Sequence, residues 1–257
     1  MKIFTAALQS FKMADFCEFL KSEGQKQFEK AVYLCKEASK NDPEEEPYKS
    51  HYEAREILLN LRTKCSDFLN ESPSDKKISL AISCIELHLG SNFTDTDETS
   101  TGEEYLSTVL KNLEDRKLED QVISVYLHTL NHLGILWSAR NRYDKAKGYL
   151  DQAEELFYEY KNNVGTAPMR ADEMFMNIEE DENELLRNRA QKFESTLTHT
   201  FYYKAQVMAK TGAAEESAQY CHTTLRRQLD CNDYDPTDWA LNAATLSQVK
   251  QESLFME

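Results

Sequence analysis

The stretch "NHLGILWSARNRYDKAKGYLDQAEELFYEY" (Asn131–Tyr160) decides how this chain folds. Leu130, just ahead of it, joins Leu133, Gly134 and Trp137 at steps i, i+3, i+4 and i+7, which place all four on one face of a helix. A polar turn follows at Ala139–Arg142. Tyr143, Ala146, Leu150 and Ala153 then mark the face of a second helix, again at steps of three and four. Glycine inside a helix costs on the order of 1 kcal/mol relative to alanine, so Gly134 needs a reason. The usual one is close approach of another backbone, with Trp137 filling the space beside it. Large residues alternate with small ones, so two antiparallel helices can mesh.

This spacing of Leu-Gly, aromatic, then Ala, apolar, Ala matches the tetratricopeptide (TPR) repeat. Leu133, Gly134, Trp137, Ala146, Leu150 and Ala153 agree in one register and are taken as the structural positions of the repeat. The register recurs less cleanly. Leu89, Gly90 and Phe93 are followed by Gly102, Leu106 and Val109; Ala205 and Met208 are followed by Ser217, Cys221 and Thr224. This last copy departs at Lys204, where the pattern expects leucine. "FEKAVYLCKEASKNDP" supplies Phe28, Ala31, Cys35 and Ala38 and stops at Pro43, which reads as a second helix without its first. Gly90, Gly134 and Ala205 lie farther apart than the usual repeat of about 34 residues, so longer helices and an insertion must absorb the excess. The expected fold is all-α, a right-handed α-solenoid of degenerate TPR-like helix pairs. Residues 1–12 form an N-terminal tail and 13–257 the solenoid. Residues 162–186, opened by Gly165 and Pro168 and then strongly acidic, read as an inserted loop before a long helix from about Glu184. Met174, Phe175 and Met176 suggest that part of this loop packs back on the helices.

Near the C-terminus, Asp235 reads as a helix N-cap, Pro236 as the first helical residue and Asp238 as a first-turn acid. Trp239, Ala243 and Leu246 follow as an apolar stripe. Trp239 is too large and apolar for a solvated capping helix, so a further helix pair beyond Glu257 is expected to cover it.

The chain has 257 residues with only seven Gly and five Pro, so the composition favours helix and allows a sizeable core. Its mean hydropathy is −0.67, and no apolar run approaches the roughly 18 residues of a membrane span. The patch in "MKIFTAALQSFK" is broken by Thr5 and Gln9, against a secretory signal. Net charge is −15, which opposes nucleic acid and anionic membranes and suits a partner with a basic face. Cys17, Cys35, Cys65, Cys84, Cys221 and Cys231 lack C-x-x-C spacing and read as reduced, mostly buried thiols. Sequons at Asn70 and Asn92 would go unused in a cytoplasmic protein.

Catalytic patterns are missing: the sequence holds no P-loop, G-x-G-x-x-G, G-x-S-x-G or HExxH. His128 and His132 share a helix face, but no nearby Glu or Cys completes a metal set, and ordinary histidines are the better reading. "DTDETSTG" (Asp95–Gly102) departs from a calcium loop at Thr99 and in the place of its glycine, and reads as a solvated turn. Cys221 and His222 diverge by about 100° on a helix and cannot pair as nucleophile and base. The chain is therefore read as a non-enzyme without cofactor or metal. Tyr202, Tyr203 and Trp239 fall at helical core spacing.

"NHLGILWS", "EPYKSHYEAREILL" (Glu46–Leu59), "THTFYYKAQV" (Thr198–Val207) and "QYCHTTLRRQLDCNDYDPTDWALNAATLSQ" (Gln219–Gln248) together resemble the KIF-binding protein family, the kinesin-binding regulators. The resemblance runs from about Glu23 to Gln248, and the last stretch is much more specific than a generic TPR match. It implies a cytoplasmic, cytoskeleton-associated solenoid without catalytic activity. Such a protein would bind kinesin motor domains and keep them off microtubules, influencing microtubule organisation, transport and axon growth. Family chains are considerably longer, and this sequence corresponds to their N-terminal half. A motor's microtubule-facing surface must be basic to bind acidic tubulin, and an acidic solenoid could compete for it. The first helix of each pair lines a solenoid's concave face. The resemblance places Tyr203 and Gln206, Gln228, and Asn242 and Thr245 in the motor-facing region, so these are the candidate partner-binding residues. A generic TPR scaffold, or a co-chaperone that grips acidic C-terminal peptides with Asn131 and Lys204, is the competing reading.

Overall fold

The computed structural model describes residues 14–231 together with 236–237, 239–240 and 243–244. All regular structure among them is helical, and it falls into two units. Unit one holds the described residues up to Lys117 and, from further along the chain, Ala171–Glu180; unit two holds Leu118–Arg170 and the described residues from Asp181 onward.

In unit one, helical residues 14–19 pass through a π-helical turn (Leu20–Gly24) into α1 (Gln25–Lys36). Then come α2 (Lys49–Glu71), α3 (Lys76–Asp95) and α4 (Thr99–Leu113). Asp75 starts α3 as its N-cap, accepting from the Lys77 and Ile78 amides at 2.8 and 3.0 Å. Contacts run in opposite directions along neighbours: Lys30 meets Glu53 and Lys64 meets Glu23, so α1 and α2 are antiparallel. α1 also runs alongside α3 in the same sense, with Phe28 against His88 and Cys35 against Asn92. It thus occupies the place of a first helix, with α2 as its second. The expectation of a lone second helix was wrong because alternating large and small residues mark a contact face on either member of a pair.

The pair α3–α4 closes tightly. A Cβ on Gly90 would lie 2.5 Å from Leu106 Cγ, and one on Gly102 would lie 2.9 Å from the Gly90 carbonyl oxygen. Both glycines are there to let backbones approach. Segment 171–180 adds Phe175, fully buried and stacked on Phe28 with centroids 4.3 Å apart. Met174 packs against the same core, whereas Met176 is exposed.

In unit two, α5 (Ile123–Ala139) and α6 (Tyr143–Asn163) form the pair quoted at the outset, and α7 (Glu182–Thr211) and α8 (Ala214–Cys231) the next. Leu133, Gly134, Trp137, Ala146, Leu150 and Ala153 are all buried, and a Cβ on Gly134 would strike Leu150 at 2.7 Å. α7 runs parallel to α5: His128 and Asn131 reach Thr196, and Asn131 also accepts from Thr200 Oγ1 at 3.0 Å. It runs antiparallel to α6, with Lys161 on Glu194 and Lys204 on Asp151. First helix beside first helix, with the second helix packed against the following first, is the TPR arrangement. Asp181 N-caps α7 through the Asn183 and Glu184 amides, so the helix opens at Glu182. Gly212, at φ +80°, closes it in the left-handed conformation that glycine adopts without strain. Residues 164–181 connect α6 to α7, and Met169 is tied to unit two: its carbonyl accepts from Ser124 Oγ at 2.6 Å and its amide donates to the Asp120 carbonyl at 3.1 Å.

Of the cysteines, Cys65 and Cys84 are buried while Cys17, Cys35 and Cys221 are partly exposed. Asn92, one of the two sequon asparagines, is buried, donates to the His51 carbonyl and accepts from Arg55.

Candidate partner interface

The described candidate residues lie on α7 and α8. At about 100° per residue, Tyr203 and Gln206 fall on one side of α7, and Phe201, Lys204, Ala205 and Met208 on the other. The buried side is the second of these. Gln206 is exposed, and Tyr203 is half-buried with its ring edge-on to Tyr202 at 5.4 Å. Thus Tyr203 and Gln206 share the side of α7 opposite Phe201, Lys204, Ala205 and Met208.

Gln228 lies elsewhere. Its neighbour Arg227 bonds Thr198 Oγ1 at 3.1 Å and Glu194 Oε2 at 2.7 Å. That sets Gln228 level with residues 194–198, on the order of 10 Å along the helix axis from Tyr203 and Gln206 at about 1.5 Å per residue. Its carboxamide oxygen is buried and has no hydrogen-bond partner among the described residues. Asn242 and Thr245 lie outside the described residues, as do Cys231's side chain, Asp235, Asp238 and Leu246. Trp239 is described: its indole N–H donates to the Leu225 carbonyl at 3.1 Å, so it packs onto α8.

The opposite side of α7 carries a feature that the repeat pattern flagged only as a departure. Lys204 is 3% exposed and is held by Asp151 at 2.6 Å and by Glu154, both on α6. Burial alone would lower the Lys204 ammonium, but the two hydrogen bonds and the two carboxylate charges outweigh it and hold it above its ordinary range. Asp151 also takes Lys147 at 2.6 Å. Burial would raise its carboxyl, yet Lys147 and Lys204 hold it below the usual carboxylate range. An open cavity of about 500 Å³ lies beside this network, with Phe201, Met208, Glu154, Glu216 and Tyr220 among its lining residues. A lysine at a position where the repeat expects leucine was the signal available in the sequence; its two carboxylate partners were not.

Asn131 and Lys204, which a peptide-gripping co-chaperone would need at an open surface, are both spent inside the fold. Among the described residues, no three His, Cys, Asp or Glu side chains are grouped to hold a metal ion. His128 Nε2 instead lies 3.4 Å from Thr196 Oγ1. No described helix is long and apolar enough to cross a membrane.

No protein-family model matches the chain. Curated relatives do. The KIF-binding protein of Gallus gallus is 41% identical over 231 residues, covering 90% of this chain and 38% of its own. That of Homo sapiens is 36% identical over 262 residues, covering 90% and 41%. Among solved structures, the cryo-EM structure of the KIFBP core matches at 35% identity and a TM-score of 0.53, covering 82% of this chain and 68% of that one. The chain spans about two fifths of the length of these two relatives.

Proposed function

This chain belongs to the KIF-binding protein family, and from that premise we propose that it is a kinesin-binding regulator that engages motor domains and hinders their attachment to microtubules. The observation that carries the reading is the agreement of the curated relatives: across 86–91% of this chain they are KIF-binding proteins. The exposed side of α7 with Tyr203 and Gln206 supplies the contact in this reading, with Gln228, Asn242 and Thr245 extending it. A net charge of −15 supports it physically. The surface a motor offers to acidic tubulin is basic, and an acidic competitor is steered toward it. The protein would act in the cytoplasm at the cytoskeleton, by binding rather than catalysis, with consequences for microtubule organisation, transport and axon growth.

Microtubule co-pelleting tests this. A kinesin motor domain is spun down with microtubules in rising concentrations of the purified 257-residue chain. Release of motor into the supernatant in proportion to added chain is the expected result, weakened by Gln206→Ala and Thr245→Ala. A motor that still pellets beside a folded, monodisperse chain would sink the reading for this length of polypeptide.

A further inference from the structure

The turn between α5 and α6 is a basic spot on an acidic protein. "RNRYDKAK" (Arg140–Lys147) carries four basic side chains and one carboxylate, Asp144, in a chain of net charge −15. Lys147 is committed to Asp151. The guanidinium carbon of Arg140 and the amine of Lys145 both lie against Trp137, at 4.8 and 3.8 Å from the ring centroid. Arg142 and Lys145 are exposed, and neither makes an ion pair among the described residues.

The backbone beneath them is fixed. The Arg142 amide donates to the Trp137 carbonyl at 2.9 Å, and the Asn141 amide to Ser138 at 3.0 Å. Asn141 sits at φ +57°, and its side-chain oxygen accepts from the Tyr143 hydroxyl at 2.8 Å. α6 then begins with Arg142 as N-cap and no side-chain cap. Cations suit the C-terminal end of a helix and are disfavoured at its start. Arg142 and Lys145 stand together at the start of α6 and repel one another, and the π-face of Trp137 under Lys145 offsets only part of that, at about 0.5–1 kcal/mol for an exposed cation–π contact.

We propose that the α5–α6 turn is a docking site for an acidic, glutamate- or aspartate-rich peptide segment of a partner protein. Carboxylates along such a segment complement Arg142 and Lys145, whose positions are set in advance by the bonded turn and, for Lys145, by the Trp137 ring, so little ordering cost remains. Nucleic acid is a poorer fit. Trp137 is 8% exposed and carries both cations, which leaves no aromatic face for a base, and the overall charge repels phosphate backbones. The site does not depend on the motor-binding reading, because Tyr203 and Gln206 lie on α7.

Fluorescence anisotropy of a labelled decaglutamate peptide, titrated with the full chain at low and at physiological salt, tests the proposal. Saturable, salt-weakened binding is expected, with at least a tenfold loss in the double variant R142E/K145E and less than a twofold change in Lys111→Glu, an exposed lysine of α4. Circular dichroism checks that each variant is folded; should the charge reversals unfold the chain, Arg142→Gln with Lys145→Gln serves in their place. Absence of saturable binding, or an equal loss with Lys111→Glu, overturns the proposal. Co-sedimentation with phosphatidylserine vesicles in place of peptide binding overturns it too, and assigns the turn to a lipid surface.

Discussion

A methyl group on Gly134 would sit 2.7 Å from both Cγ and Cδ2 of Leu150, whereas one on Gly148 would meet nothing within 4 Å. The same substitution therefore has opposite signs at two glycines about a helix pair. Gly134→Ala is expected to cost about 1–2 kcal/mol, overpacking outweighing the better helix propensity. Gly148→Ala should add about 0.5–1 kcal/mol by propensity alone. Urea denaturation of both variants reads this directly. Lys204 gives a second contrast. Its partners Asp151 and Glu154 keep 32% and 27% exposure, so they can recover some hydration when the lysine is lost. Lys204→Ala should still cost about 3 kcal/mol, since it leaves both a cavity and unpaired charge, while Lys204→Met should cost less. A Met variant as unstable as the Ala variant would mean that the charge, and not the packing, dominates. Both residues stood out in the sequence, but only Gly134 could be explained there, because its partner lay in the next helix of a known repeat. The partners of Lys204 came from the preceding pair.

At the scale of elements, the segment 171–180 packs back on helices through Phe175 and Met174, as those residues suggested, while Met176 stays exposed; the unit it joins was not foreseen. The segment follows α6 of unit two in the chain, yet it completes the core of unit one through Phe175 and through Cys84, whose thiol donates to the Ala171 carbonyl at 3.0 Å. His88 packs against Phe28 at the same place. Burial pushes its imidazole down to about 4, against the pull of Asp172, with Lys36 adding to the push. An unfolded imidazole takes up its proton near 6.5, so between these values the unfolded chain binds more protons. The contribution of His88 is then fully present above about pH 6.5 and is lost as pH falls toward about 4. Unit one should weaken over that window by on the order of 2–3 kcal/mol, and His88→Leu should flatten the slope. Urea midpoints from pH 7 to pH 4.5 decide it; an unchanged slope in His88→Leu assigns the loss to other groups. Helix boundaries follow from local signals that the sequence reading did not use: Asp75 and Asp181 N-cap α3 and α7, and the second places the start of α7 at Glu182 rather than near Glu184.

For the whole molecule, charge makes the plainest forecast. If −15 steers this chain toward a basic motor surface, raising salt from about 50 to 500 mM should slow association by about tenfold or more while changing dissociation less. Stopped-flow mixing with a motor domain measures it. An association rate indifferent to salt would remove electrostatics from the reading and leave shape and polar contacts to account for recognition.

The sequence by itself determined the helical class, the TPR-like pairing of α5 with α6 and the close approach at Gly134 and Gly90. These follow from periodicity and side-chain size within a few turns of chain, where neighbours in sequence are neighbours in space. It also carried the family resemblance, through stretches as specific as "CHTTLRRQL". Only the tertiary structure decided that α1 is a first helix, that Phe175 belongs to the core of unit one, and that Gln228 stands apart from Tyr203 and Gln206. It alone brought Lys204 under Asp151 and Glu154, and set Arg140 and Lys145 on one tryptophan ring. Such juxtapositions depend on which helices pack together, and local periodicity shows a residue's face without naming what lies across from it.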